Sequence, residues 1–277
     1  MKQTHLLVID PQNDFTDPNG SLYVPGADRD LDRLSDFLER HTNEIDDIHV
    51  TLDSHREVDI AHPIFWVDSQ GKHPAPFTNI SLADLENGRW QTRIPSWNSR
   101  AREYVEKLEA NQRYDLTIWP PHCVIGSWGH GLHAGFSDQL RQWERRHFAI
   151  VNYVTKGSNI WTEHYSAVQA EVEDPSDPTT QLNTELIEML QDPEIDRIFI
   201  AGQALSHCVA NTIRDIANHF GEENITKFVL LRDCCSSVPS FEQLGSEFVS
   251  EMQVRGMRVI QGARFKAQVS SRVGLAL

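Results

Sequence analysis

The stretch IFIAGQALSHCVANTI, residues 198–213, decides the fold. Its Ile-rich start reads as a buried strand that stops at Gly202. Val209, Ile213, Ile216, Ala217 and Phe220 then recur at helical spacing. Cys208 falls in the first turn of that helix, with Ser206 as its N-cap. A thiol there feels the positive end of the helix dipole, which is expected to lower its pKa from about 8.5 into the range of roughly 3.5–7.5. The backbone N–H groups of such a turn also supply donors for an oxyanion. The plain alternative is a small buried cysteine that packs a strand–helix junction.

Working outward, apolar runs at 5–10, 48–55, 147–154, 196–202, 227–233 and 257–261 read as strands. Helical spacing occupies 31–41, 100–110, 183–191, 208–220 and 241–255. This alternation calls for an α/β fold, a parallel sheet covered by helices on both faces. Ligands in such sheets gather beyond the C-terminal strand ends. Asp10, Asp53 with His55, Lys156 and Cys208 all fall at those ends. Residues 63–118 break the rhythm with Pro, Gly, Asn, Trp and His. They read as an irregular insertion in a single domain spanning 1–277, serving as a lid, an oligomer contact or a surface excursion without a role.

Composition narrows the function. The chain has 277 residues with 25 Lys+Arg against 40 Asp+Glu, a net charge of −15 that argues against nucleic-acid or anionic-membrane partners. No apolar run approaches the roughly 20 residues of a membrane span. Four cysteines without a C-x-x-C spacing make a disulfide framework unexpected and fit a reducing cytoplasm.

Two constellations carry chemistry. Asp53-Ser54-His55, His62 seven residues further on, and His122 in WPPHC offer one carboxylate and three imidazoles. In an extended D-x-H both side chains share a face. That donor set suits zinc, iron or manganese rather than magnesium or calcium. Any one of the 13 histidines is more simply a hydrogen-bonded surface residue, and His62 is the least secure of the ligands. The second constellation is Asp10, Lys156 and Cys208. Alone, Asp10 is a loop cap and Lys156 a solvated strand end. Together they make a nucleophile, a proton carrier and a charge that holds both.

Five segments, VIDPQNDFTDPNGSLYVPGAD (8–28), LDSH (52–55), WPPHCVIGSWGHGL (119–132), VTKG (154–157) and GQALSHCVANT (202–212), together resemble the nicotinamidases among the isochorismatase-like cysteine hydrolases. The resemblance implies a three-layer, doubly wound sheet of six parallel strands in the order 3-2-1-4-5-6. It implies a Cys208–Asp10–Lys156 triad and a divalent metal, zinc foremost, on Asp53, His55 and His122, with His62 as a fourth ligand. It implies a cis peptide at Gln203–Ala204 and an oxyanion hole from the N–H groups of Ala204 and Cys208. Phe15 and Trp119 match the positions that sandwich a pyridine ring. The implied reaction is hydrolysis of nicotinamide to nicotinate and ammonia in NAD salvage, with a small-molecule substrate as partner and homo-oligomers within the family's range. Pyrazinamide or a carbamoyl compound as substrate, or a catalytically silent binder, are the other readings. The chain departs from the family at Leu205-Ser206, where Thr-Asp is usual, and at GSWGHGL, where Gly-Thr-x-Gly is usual.

Overall fold

A computed structural model describes residues 2–266. Six parallel strands form the central sheet: β1 (Gln3–Ile9), β2 (Asp47–Asp53), β3 (Asn152–Lys156), β4 (Ile195–Gly202), β5 (Phe228–Leu231) and β6 (Arg258–Ile260). Their spatial order is 3-2-1-4-5-6, as expected. The chain therefore winds outward from β1 in one direction, returns to the middle, and winds outward in the other through β4. Right-handed crossovers then put the helices of the two halves on opposite faces. The helices are α1 (Ala27–His41), α2 (Asn98–Asn111), α3 (Ala134–His147), α4 (Thr184–Leu190), α5 (Ala210–Phe220) and α6 (Glu242–Val254). Helix α1 packs on α3, whereas α5 packs on α4 and α6. With both faces covered, Leu6, Leu7, Val8 and Ile9 of β1 and Ile198 to Ala201 of β4 are completely buried. That is why these strands read as continuous apolar runs rather than alternating ones.

Two elements differ from the sequence reading. The third strand was expected at 147–154 and lies at Asn152–Lys156. Before it runs α3, whose inward stripe is only Phe136, Leu140 and Trp143. Phe148 ends that helix in the left-handed region at φ 50°. Its side chain is 98 % exposed and that of Ile150 is 75 % exposed, so the apolar residues that suggested a strand project into solvent.

Residues 63–118 contain more structure than their composition implied. Trp66–Val67 pairs antiparallel with Gln91–Thr92, and Asn79–Ile80 with Leu116–Thr117. A short helix at Leu82–Glu86 is closed by a capping box between Ser81 and Asp84. Helix α2 buries Ala101, Tyr104, Val105 and Leu108. No helix among the described residues is long and apolar enough to cross a membrane.

Candidate active site

Register builds the site. Asp53 is the last residue of β2 and pairs with Lys156, the last residue of β3. Paired residues on parallel strands face the same side, so the carboxylate and the ammonium meet. Lys156 Nζ lies 2.9 Å from Asp53 Oδ1. The same ammonium lies 3.1 Å from Asp10 Oδ2 and 3.6 Å from Cys208 Sγ, and it donates to the His164 carbonyl at 2.9 Å. Donor atoms of Asp10, Asp53 and Cys208 lie within 4.8 Å of one another. The three residues expected to act together are thus side by side and buried.

Asp10 directly follows β1 with φ 45°. Thr51 fixes it from β2, accepting its backbone N–H at 3.0 Å and donating its hydroxyl to Oδ1 at 2.5 Å. Burial raises the Asp10 pKa, Lys156 opposes the rise, and Asp53 adds to it. Burial would raise Asp53 as well, but His55 and Lys156 outweigh it and hold Asp53 well below the usual carboxylate range. Burial would lower Lys156, yet the two carboxylates keep it charged.

The nucleophile turn is not the one read from sequence. Leu205–Val209 winds with π-type spacing, closed by the Val209 N–H to the Ala204 carbonyl at 3.1 Å, and the α-helix begins only at Ala210. Ser206 does not cap it. Its Oγ accepts the Val238 N–H at 3.1 Å and lies 2.9 Å from His207 Nδ1. The expected fall in the Cys208 pKa is also reversed. Burial pushes the thiol well above its ordinary value, Lys156 opposes this, and Asp10 and Asp53 reinforce it. One ammonium faces two carboxylates, so a third negative charge on sulfur is disfavoured until one of them is neutralised. The Gln203–Ala204 peptide is cis. Gly202, at φ 118°, precedes it, and a Cβ there would come within 2.0 Å of the Ile9 carbonyl oxygen, so only glycine lets β4 pass β1 at this point.

Three imidazoles surround Asp53. His55 Nε2 lies 3.1 Å and His122 Nε2 3.5 Å from Asp53 Oδ2. An isolated bridge between His55 and Val124 carries the His122 segment alongside β2's end. The far nitrogen of each ring is held by an oxygen. His55 Nδ1 lies 3.1 Å from Asp59 Oδ2, His122 Nδ1 2.9 Å from the Pro120 carbonyl, and His62 Nδ1 3.2 Å from the Glu57 carbonyl. Oxygens that hold the far nitrogens in this way orient each Nε2, and such outer partners are how histidine is positioned for a metal. His62 Nε2 is buried without a hydrogen-bond partner. The Asp53, His55 and His122 donor atoms lie within 4.8 Å of one another, whereas His62 stands further out, its ring centroid 5.4 Å from that of His55 and 5.7 Å from that of His122. Asp53 and Asp59 hold the His55 pKa well above its ordinary value against the effect of burial.

A cleft opens over the sulfur. Phe15 and Trp119 line it, together with Asp53, His55, His122, Ala204 and Cys208. Six further lining residues were given no role from sequence: Leu22, Glu163, His164, Tyr165, His207 and Val238. Burial raises the Glu163 pKa to about 8, with His55 opposing. Glu163 also offers an oxygen within 4.8 Å of donor atoms of His55 and Asp59. Its signal was the polar run Thr162-Glu163-His164 just beyond β3. Tyr165 accepts the Trp119 indole N–H at 3.0 Å. His207 stacks on Tyr114, whose hydroxyl donates to the Ser206 carbonyl at 3.2 Å. The end of the irregular stretch thus braces the nucleophile turn from outside.

Residues 162–263 match the Isochorismatase domain family. The chain is 27 % identical to the nicotinamidase of Escherichia coli over 256 residues, covering 91 % of each chain. It is also 27 % identical to the nicotinamidase of Saccharomyces cerevisiae over 207 residues, 75 % of this chain and 78 % of the relative. The family match and these relatives support a place in the isochorismatase-like superfamily. The nicotinamidase relatives support an amidohydrolase. Among solved structures the same fold recurs in the yeast nicotinamidase bound to the inhibitor nicotinaldehyde, with a TM-score of 0.64 at 21 % identity over 94 % of this chain and 100 % of that one. It recurs in the pyrazinamidase of Pyrococcus horikoshii in complex with zinc, with a TM-score of 0.55 at 19 % identity over 94 % of this chain and 99 % of that one.

Proposed function

We propose that this protein hydrolyses nicotinamide to nicotinate and ammonia through a thioester on Cys208, in cytoplasmic NAD salvage. The observation that carries the reading is the placement of Lys156 Nζ against Asp10, Asp53 and Cys208 at once. The nicotinamidase relatives favour the pyridine amide over other amides. The yeast neighbour that binds nicotinaldehyde supports a small aromatic ligand.

The chemistry follows from the residues present. Asp10 takes the Cys208 proton, and the sulfur attacks the carboxamide carbon. Its C–S bond forms as the carbonyl pair moves onto oxygen, where the Ala204 and Cys208 N–H groups receive the charge. The intermediate collapses, the C–N bond breaks, and Asp10 returns its proton to the departing nitrogen. Asp10 then deprotonates a water that attacks the thioester, the C–S bond breaks, and the thiol is restored with nicotinate as product. Lys156 stays charged throughout and lowers the cost of the thiolate. Phe15 and Trp119 line the slot for the ring.

The clustered donor set of Asp53, His55 and His122 fits a divalent metal, with His62, whose buried Nε2 has no partner, as an outer fourth ligand. Zinc is the first choice, by the zinc-bound neighbour. When bound, the ion supplies a Lewis-acidic point that holds a ring nitrogen and balances the Asp53 charge.

An ammonia-release assay over nicotinamide, pyrazinamide and carbamoyl compounds tests the reading. Nicotinamide should be turned over with the highest kcat/KM. No ammonia from any of them would leave a silent binder.

A further inference from the structure

We propose that His5, His49 and Asp47 form a second divalent-metal site, of zinc-like preference, at the opposite end of the sheet from Cys208. Strand register brings them together. His5 on β1 pairs with Asp47 and Leu7 pairs with His49 on β2, so all three side chains leave the same face near the strands' N-terminal ends. One donor atom from each lies within 4.8 Å of the others. His5 Nδ1 is 3.0 Å from His49 Nε2, and His49 Nε2 is 3.9 Å from Asp47 Oδ2.

The surroundings orient these donors. His5 Nε2 lies 3.1 Å from Gln3 Oε1, and an N–H donated there leaves Nδ1 bare. Asp47 Oδ1 is taken by the Asn152 amide at 3.1 Å and the Ile48 N–H at 2.8 Å, which turns Oδ2 toward the imidazoles. His49 Nδ1 is buried with no hydrogen-bond partner and carries the ring proton when Nε2 ligates. Burial holds both histidines at a pKa of about 4, in the neutral form that ligates. The Asp47 side chain is 31 % exposed, which gives an ion its way in.

Zinc with Zn–N bonds of about 2.0–2.1 Å in tetrahedral geometry sets neighbouring donors about 3.3 Å apart. The imidazoles need to open by a few tenths of an ångström and the carboxylate to close by about half an ångström. Two histidines and one carboxylate leave water as the remaining ligand.

The test uses the full chain, stripped with a chelator, reloaded with Zn²⁺, desalted and analysed for metal, with Kd from titration against a chromophoric chelator. Wild type should hold two ions per chain and Asp53→Ala one. Asp47→Asn should lose the other, weakening its Kd at least tenfold and leaving ammonia release unchanged. His5→Asn is read in the same way should Asp47→Asn fail to fold. A wild type holding a single ion that Asp53→Ala removes overturns the proposal, as does a second ion that survives both Asp47→Asn and His5→Asn. A single ion that survives Asp53→Ala and leaves with Asp47→Asn upholds it and instead overturns the metal reading of the active site.

Discussion

Lys156 Nζ stands closer to Asp53 Oδ1, at 2.9 Å, than to Asp10 Oδ2, at 3.1 Å. The ammonium that faces the nucleophile therefore also touches the carboxylate proposed to hold the metal, and the two halves of the site share one charge. Lys156→Met leaves two buried carboxylates without their partner, a loss that typically costs about 3–5 kcal/mol. Urea unfolding at pH 7 should show a loss of that size, together with a fall in kcat/KM of at least about a thousandfold. An unchanged unfolding midpoint would mean that the ammonium is not buried between the carboxylates.

Cys208→Ala removes the proposed nucleophile without disturbing the cleft walls. Ammonia release should drop below detection, while nicotinate still binds by calorimetry within about threefold of wild type. Residual turnover above a few per cent would assign the nucleophile elsewhere.

His122→Ala takes one imidazole from the proposed metal site and leaves its Pro120 anchor unused. Zinc bound at that site should weaken by at least about tenfold, and KM for nicotinamide should rise more than kcat falls, because the ion's proposed task is to hold the ring. Full activity in chelated protein would remove the metal from the reaction.

Stability should peak near pH 6.5 in metal-free protein. Burial lowers His5, His49 and His207 to about 4 and His164 to about 3, all below the ordinary 6.5. Below pH 6.5 the unfolded chain binds protons that the folded chain refuses, so stability is lost as pH falls toward 4. Glu163 and Glu171 act with the opposite sign. Burial raises them to about 8 and about 7, so the folded chain keeps protons that the unfolded chain releases, and stability is lost as pH rises through that range. Urea midpoints measured from pH 4.5 to 8.5 check this, and a flat profile between pH 4.5 and 6.5 would contradict the buried histidines.

Much of this architecture was legible because doubly covered strands are written as uninterrupted apolar runs, and five of the six runs coincide with strands of the sheet, whereas only the last three residues of 147–154 do. Helix α3 escaped notice because Phe136, Leu140 and Trp143 form a thin stripe among charged residues, while the apolar Phe148 and Ile150 beyond it drew the eye to a strand. The residues that meet at the strand ends were legible as types at positions. The thiol's ionisation was not, because it depends on Asp10 and Asp53 crowding a single ammonium, which no local pattern reports. Glu163 and His207 were missed for a similar reason. Each is an ordinary polar residue until neighbouring aromatic and imidazole rings enclose it.

Asp59, the Glu57 carbonyl and the Pro120 carbonyl each lie within hydrogen-bond range of the far nitrogen of one of the three imidazoles near Asp53. Rings anchored this way cannot swivel when the proposed ion leaves. An emptied protein should therefore keep the shape of its binding cup, and recharging it should be a matter of diffusion rather than refolding.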